Sequence, residues 1–360
     1  MADNTLGLLA KETLSKLAIE VNERLERYWN EEIEKDFGFE RSQVELVRQA
    51  MLHAKEHNLR SAKRLRASFV YYGYLLGGEI PNDEVWKVME GVELVQTALL
   101  MHDDFMDRDK VRRGLPTTHE YFAKGDSHYG DSMAVNIGDL VLCLGYERVL
   151  ECELDKNKVL SVARVLMRHI AETALGQMYD ITLPKLGELT EDKVLAVHRT
   201  KTSIYTFQNP LIMGAELAGL SEDVKDVLKE YAQKGGVAFQ LQDDILGMYG
   251  DEEKTGKSAN SDLLQGKCTL LISKTLELGN EQEKESIYRA WGNKEASEEE
   301  IEGASKAVKE SGAYEYSVNK AKELAQEAKK EVEKLEKMDL NSEAVNYLSG
   351  IAEYVVNREF

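Results

Sequence analysis

The sequence predicts an all-α fold, and three observations carry that prediction. Only four prolines, Pro81, Pro116, Pro184 and Pro210, occur in 360 residues, and proline is the residue a helix interior tolerates least. Leu, Ala, Glu and Lys dominate, while continuous β-branched runs are scarce. From Glu281 to Glu336 apolar residues recur at helical spacing among charges of both signs, as around Glu331 and Lys334. Blocks of like charge are absent there, so the segment reads as solvated helix faces rather than an interaction tail.

The breaks between helices follow from local chemistry. They fall at Gly77-Gly78 through Asn82, at Arg113-Gly114-Leu115-Pro116, at Lys124-Gly125-Asp126, at Leu183-Pro184, and from Gly250 to Gly266. None has the composition of a flexible linker, and no long repeat or low-complexity tract is present. The chain therefore reads as a single domain, 1–360, of roughly a dozen helices packed around a central active-site cavity.

Composition excludes several classes. The net charge of −19 opposes nucleic-acid binding, which requires a basic surface to neutralise phosphates. No apolar stretch approaches the length of a membrane span. The start, Met1 to Leu14, lacks a basic region followed by an apolar core, so no secretory signal is expected. Three cysteines, Cys143, Cys152 and Cys268, form no CxxC pair, which excludes a disulfide framework or zinc ribbon and fits a reducing cytoplasm.

Two acidic motifs are the informative features. In Leu99-Leu100-Met101-His102-Asp103-Asp104-Phe105-Met106-Asp107, three carboxylates sit in an otherwise apolar helix. Asp103 and Asp107 lie one turn apart and point the same way. Like charges on one face repel, and burying them unpaired is costly, so a cation must compensate. All-oxygen ligands favour Mg²⁺ or Ca²⁺, and Mg²⁺ typically bridges one or two carboxylates to a substrate's phosphates. The second motif is Phe239-Gln240-Leu241-Gln242-Asp243-Asp244-Ile245-Leu246-Gly247. One such motif can be a helix cap or chance; two facing each other would line a cavity for a metal-bound diphosphate. Cations to match occur in Lys63-Arg64-Leu65-Arg66, Arg112-Arg113, Lys201 beside Thr202, and Lys257 with Lys267. Arginine forks suit phosphate oxygens, while lysine acts as a point charge.

Other patterns carry less. Gly256-Lys257-Ser258 hints at a phosphate-binding loop, but the first glycine is misplaced and an acidic helix precedes it instead of a strand. His53 and His57, four apart, have no third ligand and read as exposed helix. His102 lies one position around the helix from the motif and reads as an orienting or packing residue. Arg358 can fold over a substrate or simply be a solvated terminus.

Together these residues resemble the trans-isoprenyl diphosphate synthases, the polyprenyl synthetase family, from about Lys63 to Thr269. The family's GKxxRP is similar to Ala62-Lys63-Arg64-Leu65-Arg66-Ala67. Both acidic motifs match, as do Gly138-Asp139, Gly176-Gln177 with Asp180, Lys201-Thr202, Gly256-Lys257, Ser261-Asp262 and Gly266-Lys267-Cys268-Thr269. The resemblance implies the all-α isoprenoid synthase fold, a homodimer, and Mg²⁺-dependent head-to-tail condensation of isopentenyl diphosphate with allylic diphosphates. It implies that Asp103, Asp107 and Asp243 hold Mg²⁺, supported by Asp104 and Asp244. Arg112, Lys201, Lys257 and Lys267 would bind the allylic diphosphate. Lys63, Arg66, Gln96 and Arg113 would bind isopentenyl diphosphate. Thr202 and Gln240 would face the reacting end.

Three departures matter. Gln96 stands where many relatives have His. The glycines and proline flanking Lys63 and Arg66 are missing. Gly247 replaces the third aspartate of the second motif, leaving that wall one carboxylate short. Product length should depend on Ala98, Leu99 and Val95, because Ala98 and Leu99 lie roughly 6–8 Å along the helix from Asp103, near the size of an isoprene unit. Their modest size favours geranylgeranyl over farnesyl diphosphate, and a longer product stays open because residues of other helices also set where the tunnel closes. A terpene cyclase shares the fold and the metal-dependent ionisation, but would lack a second Asp-Asp motif and an isopentenyl diphosphate site. A non-catalytic subunit of a heteromeric synthase would be expected to lose one motif.

Overall fold

The computed structural model describes residues 5–187, 189–250 and 260–357. Helices α1 (Thr5–Ile33) and α2 (Arg41–Leu59) lead to α3 (Leu65–Leu75) and the long α4 (Asp83–Asp107). The Asn82 side chain opens α4 by accepting hydrogen bonds from the amides of Glu84 and Val85, which fulfils the break expected between Gly77 and Asn82. The helix stops where Arg108 turns left-handed. A hairpin follows, with β1 (Val111–Arg112) antiparallel to β2 (Leu115–Pro116). These two-residue strands are the only strands among the described residues, and a pattern so short left no period to read.

Next come α5 (Thr118–Ala123), α6 (Ser127–Leu150) and α7 (Lys156–Leu186). The break expected at Leu183-Pro184 is corrected: α7 runs through Pro184 and stops at Gly187, which takes the left-handed cap. Pro184 sits so near the end that only the last turn feels its missing N–H. Helix α8 (Glu191–Val197) passes directly into an eleven-residue π-helix, His198–Gln208, which leads into α9 (Asn209–Ala218) with Pro210 in its first turn. Helix α10 is Glu222–Tyr249, α11 is Ser261–Gln265 and α12 is Leu270–Leu278. The charged C-terminal region forms α13 (Glu281–Ala290), α14 (Glu298–Glu310), α15 (Ala313–Leu335) and α16 (Ser342–Asn357). As its spacing predicts, the segment buries one stripe, including Ile287, Ala304, Val308, Ala325 and Val332, and leaves most of its charges outside. Glu331 is the correction, buried with its carboxylate 2.6 Å from Lys234 Nζ of α10.

The main apolar core joins α1 through α7 around Trp29, Met51, Met89, Leu94, Met101 and Leu166. A second core surrounds Phe69, Phe207, Tyr231 and Leu348. Helix α4 packs along α6, and the π-helix packs against both α7 and α10. This arrangement brings α4, α7, the π-helix and α10 around one polar cleft.

The reading of His53 and His57 as exposed is corrected. Both are buried. His53 stacks on Tyr121, with centroids 4.4 Å apart, and its Nε2 lies 3.1 Å from Thr118 Oγ1. His57 faces Asp104. Partners more than forty residues away made burial of this helix face tolerable.

Candidate active site

The first motif occupies the last turns of α4. Asp103 and Asp107 project into the cleft, whereas Asp104 is fully buried behind them. Arg112, from β1, clamps Asp104 through Nε and Nη2. Burial works against the Arg112 charge, but Asp104, Asp103 and Asp109 outweigh it and raise its pKa. His57 Nε2 stands 3.8 Å from the other Asp104 oxygen.

Three further elements converge on Asp103 and Asp107. From α7, Gln177 Nε2 donates to Asp103 Oδ1 at 3.1 Å. From the π-helix, Lys201 Nζ lies 3.3 Å from Asp103 and 2.9 Å from Asp180. From the segment between α11 and α12, Lys267 Nζ lies 2.7 Å from Asp107 and 3.3 Å from Asp180. Burial pushes the Asp107 carboxyl up to about 6, reinforced by repulsion from Asp103 and only partly offset by Lys267 and Lys201. Asp180 moves the other way: burial would raise it, but the two ammonium groups hold it below its ordinary value. Both lysines are raised by the surrounding carboxylates despite their burial.

The approach of Lys201 depends on Gly176. A Cβ on this α7 residue would lie 2.7 Å from the Lys201 backbone nitrogen, closer than carbon and nitrogen can pack. The glycine therefore admits the π-helix against α7.

The two motifs are linked through the same π-helix. Thr202 Oγ1 donates to Gln240 Oε1 at 2.7 Å, and Gln240 Nε2 donates to Asp244 Oδ1 at 2.8 Å. Asp244 is buried, with His198 Nε2 3.1 Å from its second oxygen. Each Asp-Asp pair thus has its second member buried beside a histidine. Gly247 faces Asp262: a Cβ there would lie 3.1 Å from Asp262 Oδ2, so a carboxylate from the Ser261-Asp262 element approaches the place that the missing side chain leaves open.

The basic side of the cleft is built from α3 and the hairpin. Arg66 lies over the Tyr205 ring and donates to Thr206 Oγ1 at 2.6 Å. Burial lowers its pKa. Arg113 falls to about 10 because it is buried and because Arg64 and Arg112 are close. Such crowding favours an anion between them. The Lys63 ammonium sits 5.8 Å from the Tyr354 ring centre. Gln96 is half-buried on α4, two turns before Asp103. Below the motif, Ala98 and Val95 are fully buried and Leu99 partly so; Val95 lies against Gly145 of α6. His102 packs over Gly138 with its Nε2 3.4 Å from Asp139, the packing position expected for it. Lys257, Gly256 and Arg358 lie outside the described residues.

The donor set suits a hard divalent cation: carboxylate oxygens from two helices, with a like-charge pair at Asp103 and Asp107 that a cation would relieve. Among the described residues, no three potential ligands are close enough together to grip an ion. Lys201 and Lys267 instead supply the positive charge between the carboxylates.

Sequence reasoning did not find the π-helix, although π geometry recurs at functional sites. It also missed His198 behind Asp244 and Glu93, whose carboxylate holds Arg64 at 3.0 Å and the Ala67 amide at 3.1 Å. Glu93 was the more legible of the two, being an acid in the apolar part of α4.

An all-α cleft in which two Asp-Asp motifs meet lysines and arginines defines the prenyltransferase class. The chain belongs to the polyprenyl synthetase family, whose sequence model matches residues 48–308. It is 32% identical over 300 residues to the geranylgeranyl diphosphate synthase of Saccharolobus solfataricus, covering 82% of this chain and 86% of that protein. It is 33% identical over 265 residues to a short chain isoprenyl diphosphate synthase of Methanocaldococcus jannaschii, covering 73% and 78%. The solved geranylgeranyl pyrophosphate synthase of Corynebacterium glutamicum, complexed with isoprenyl diphosphate and magnesium, superposes with a TM-score of 0.87 at 26% identity, covering 96% and 99%.

Proposed function

We propose that this chain joins isopentenyl diphosphate head-to-tail to allylic diphosphates in a Mg²⁺-dependent reaction, yielding all-trans geranylgeranyl diphosphate. The observation that carries the reading is the continuous polar chain from Asp103 through Lys201 and Thr202 to Gln240 and Asp244, which joins both acidic motifs into one site.

In this reading Asp103, Asp107 and Asp243 would hold Mg²⁺, and Asp104 and Asp244 would be the buried supports of that set. Bound Mg²⁺ would neutralise charge developing on the departing diphosphate. Arg112, Lys201, Lys257 and Lys267 bind and orient the allylic diphosphate, adding fixed positive charge where the leaving oxygen becomes anionic. The allylic carbon–oxygen bond breaks, the alkene of isopentenyl diphosphate attacks the resulting cation, and the released diphosphate takes the proton. Lys63, Arg66, Gln96 and Arg113 hold isopentenyl diphosphate with its double bond towards that cation. The Thr202 hydroxyl and Gln240 amide, fixed by their mutual hydrogen bond, present dipoles to the positive charge. Apolar walls from α4 keep out water, which would trap the cation. The modest size of Ala98, Leu99 and Val95 below the first motif is what supports a twenty-carbon product.

A homodimer fits the exposed apolar side chains of Leu160, Met167, Leu175, Met178 and Ile181, which share one face of α7. Three unpaired cysteines support a reducing, cytoplasmic setting, and no helix among the described residues is long and apolar enough to cross a membrane.

The test supplies labelled isopentenyl diphosphate, farnesyl diphosphate and Mg²⁺. Label is expected to move into a longer allylic diphosphate and to stay put when metal is chelated. Farnesyl diphosphate converted to hydrocarbon without label would establish a cyclase instead. Activity only with a second polypeptide would establish a subunit.

A further inference from the structure

The two segments that carry the cations assigned to isopentenyl diphosphate are far apart in sequence, and one residue outside that assignment ties them together. Arg60 ends α2, just before the Lys63 loop. Its side chain is buried, and all five of its N–H donors are engaged by protein. Nε and Nη2 donate to the Glu56 carboxylate at 3.0 and 2.8 Å. Nη1 donates to the Arg112 and Leu115 carbonyls at 3.0 and 3.5 Å, and Nη2 also donates to the Pro116 carbonyl at 2.9 Å. The contact is reciprocated: Arg113 Nη1 donates to the Arg60 carbonyl at 3.2 Å. A guanidinium has five donors, so none remains for a phosphate, and Arg60 acts on a ligand only through what it holds.

What it holds needs holding. Arg64 and Arg113 both have left-handed backbones, φ +52° and +53°, each costing about 1 kcal/mol or more for a residue with a Cβ. Arg64 is secured by Glu93 and by the Asn58 carbonyl. The Arg113 side chain rests on the Arg60 carbonyl. Arg112, by contrast, has its own anchor in Asp104.

We propose that Arg60 is a positioning residue that locks the 111–117 hairpin onto the Lys63 loop, so that Arg113, Lys63 and Arg66 meet one diphosphate together. The inference rests on the assignment of that diphosphate to isopentenyl diphosphate made above.

The experiment compares the full-length wild type with Arg60→Met, Arg60→Lys and Glu56→Gln. Three readouts are taken: amide hydrogen exchange without ligand, calorimetric binding of isopentenyl diphosphate, and KM for each substrate. Arg60→Met is expected to speed exchange in 60–66 and 111–117 selectively. It should weaken isopentenyl diphosphate binding and raise its KM roughly tenfold, while the KM for farnesyl diphosphate stays within about twofold because Asp104 still holds Arg112. Arg60→Lys keeps the charge but not the fork, so it should fall between wild type and Met. Glu56→Gln should give a smaller shift of the same kind, which keeps the test decisive if Arg60→Met fails to fold.

Unchanged exchange in the hairpin, equal shifts in both KM values, or a loss of kcat with KM untouched would each overturn the proposal. Wild-type protein that neither binds nor condenses isopentenyl diphosphate would overturn the functional reading and the ligand half of this inference. The exchange comparison would then still decide the lock by itself.

Discussion

Lys267 and Asp107, 160 residues apart, meet with the ammonium 2.7 Å from the carboxylate, and the same ammonium reaches Asp180 at 3.3 Å. The contact closes the 266–269 segment onto the end of α4. In the proposed reaction, Lys267 would exchange part of this pairing for the substrate's diphosphate. Lys267→Met removes that charge while keeping much of the apolar stem. The expected result is a fall in kcat of roughly 10², measured by label incorporation, with the circular dichroism spectrum unchanged. Activity within about twofold of wild type would show that Lys267 is only a structural tie.

Gly176→Ala should act through Lys201 without touching substrate. Its Cβ would meet the Lys201 nitrogen at 2.7 Å, so the π-helix must shift. Overpacking of this kind costs on the order of 1–3 kcal/mol of stability, and a displacement of about 1 Å near reacting groups can cost roughly 10² in rate. Thermal melting and steady-state kinetics on the same preparation check both. A destabilised variant with full kcat would show that Lys201 does not need this placement.

Restoring the missing third aspartate should be harmful. A side chain at Gly247 would start 3.1 Å from Asp262 Oδ2, and Gly247→Asp would add a second negative charge there. Activity is expected to fall several-fold, and Gly247→Asp combined with Asp262→Ala should recover part of it. A gain in activity from Gly247→Asp alone would show that the second wall is deficient in carboxylate.

His53 predicts a pH dependence of stability. Burial, aided by His57 and Arg60, lowers its pKa from 6.5 to about 4. Between those values the unfolded chain binds a proton that the folded chain refuses, so stability falls as pH drops from 6.5 towards 4. The contribution at stake is on the order of 3 kcal/mol. His57, His119 and His169 are lowered too, so the slope is shared. Denaturation of His53→Gln at several pH values should show a shallower acid loss than wild type; an unchanged slope would mean that His53 is protonated in the folded state.

The legible parts of the protein were those whose physics is local. Proline scarcity and helical spacing disclosed the all-α class, because both act within a few residues. Asp103, Asp104 and Asp107 stood out because carboxylates in an apolar helix demand compensation. Long-range partners were harder to read. His53 and His57 looked exposed because Thr118 and Asp104 are distant in sequence. Arg60 carries no signal in the sequence, since its partners are carbonyls of the hairpin more than fifty residues away. The π-helix at Lys201 left no distinct period over eleven residues. Pro184 misled because its position in the last turn of α7, rather than its identity, sets its effect.

The most direct test of the central claim is product length. Purified protein receives labelled isopentenyl diphosphate, Mg²⁺ and one primer at a time: dimethylallyl, geranyl or farnesyl diphosphate. The products are dephosphorylated and sized. The account predicts a metal-dependent twenty-carbon alcohol from every primer accepted. A stop at fifteen carbons, chains beyond twenty, or no incorporation by folded protein would contradict it.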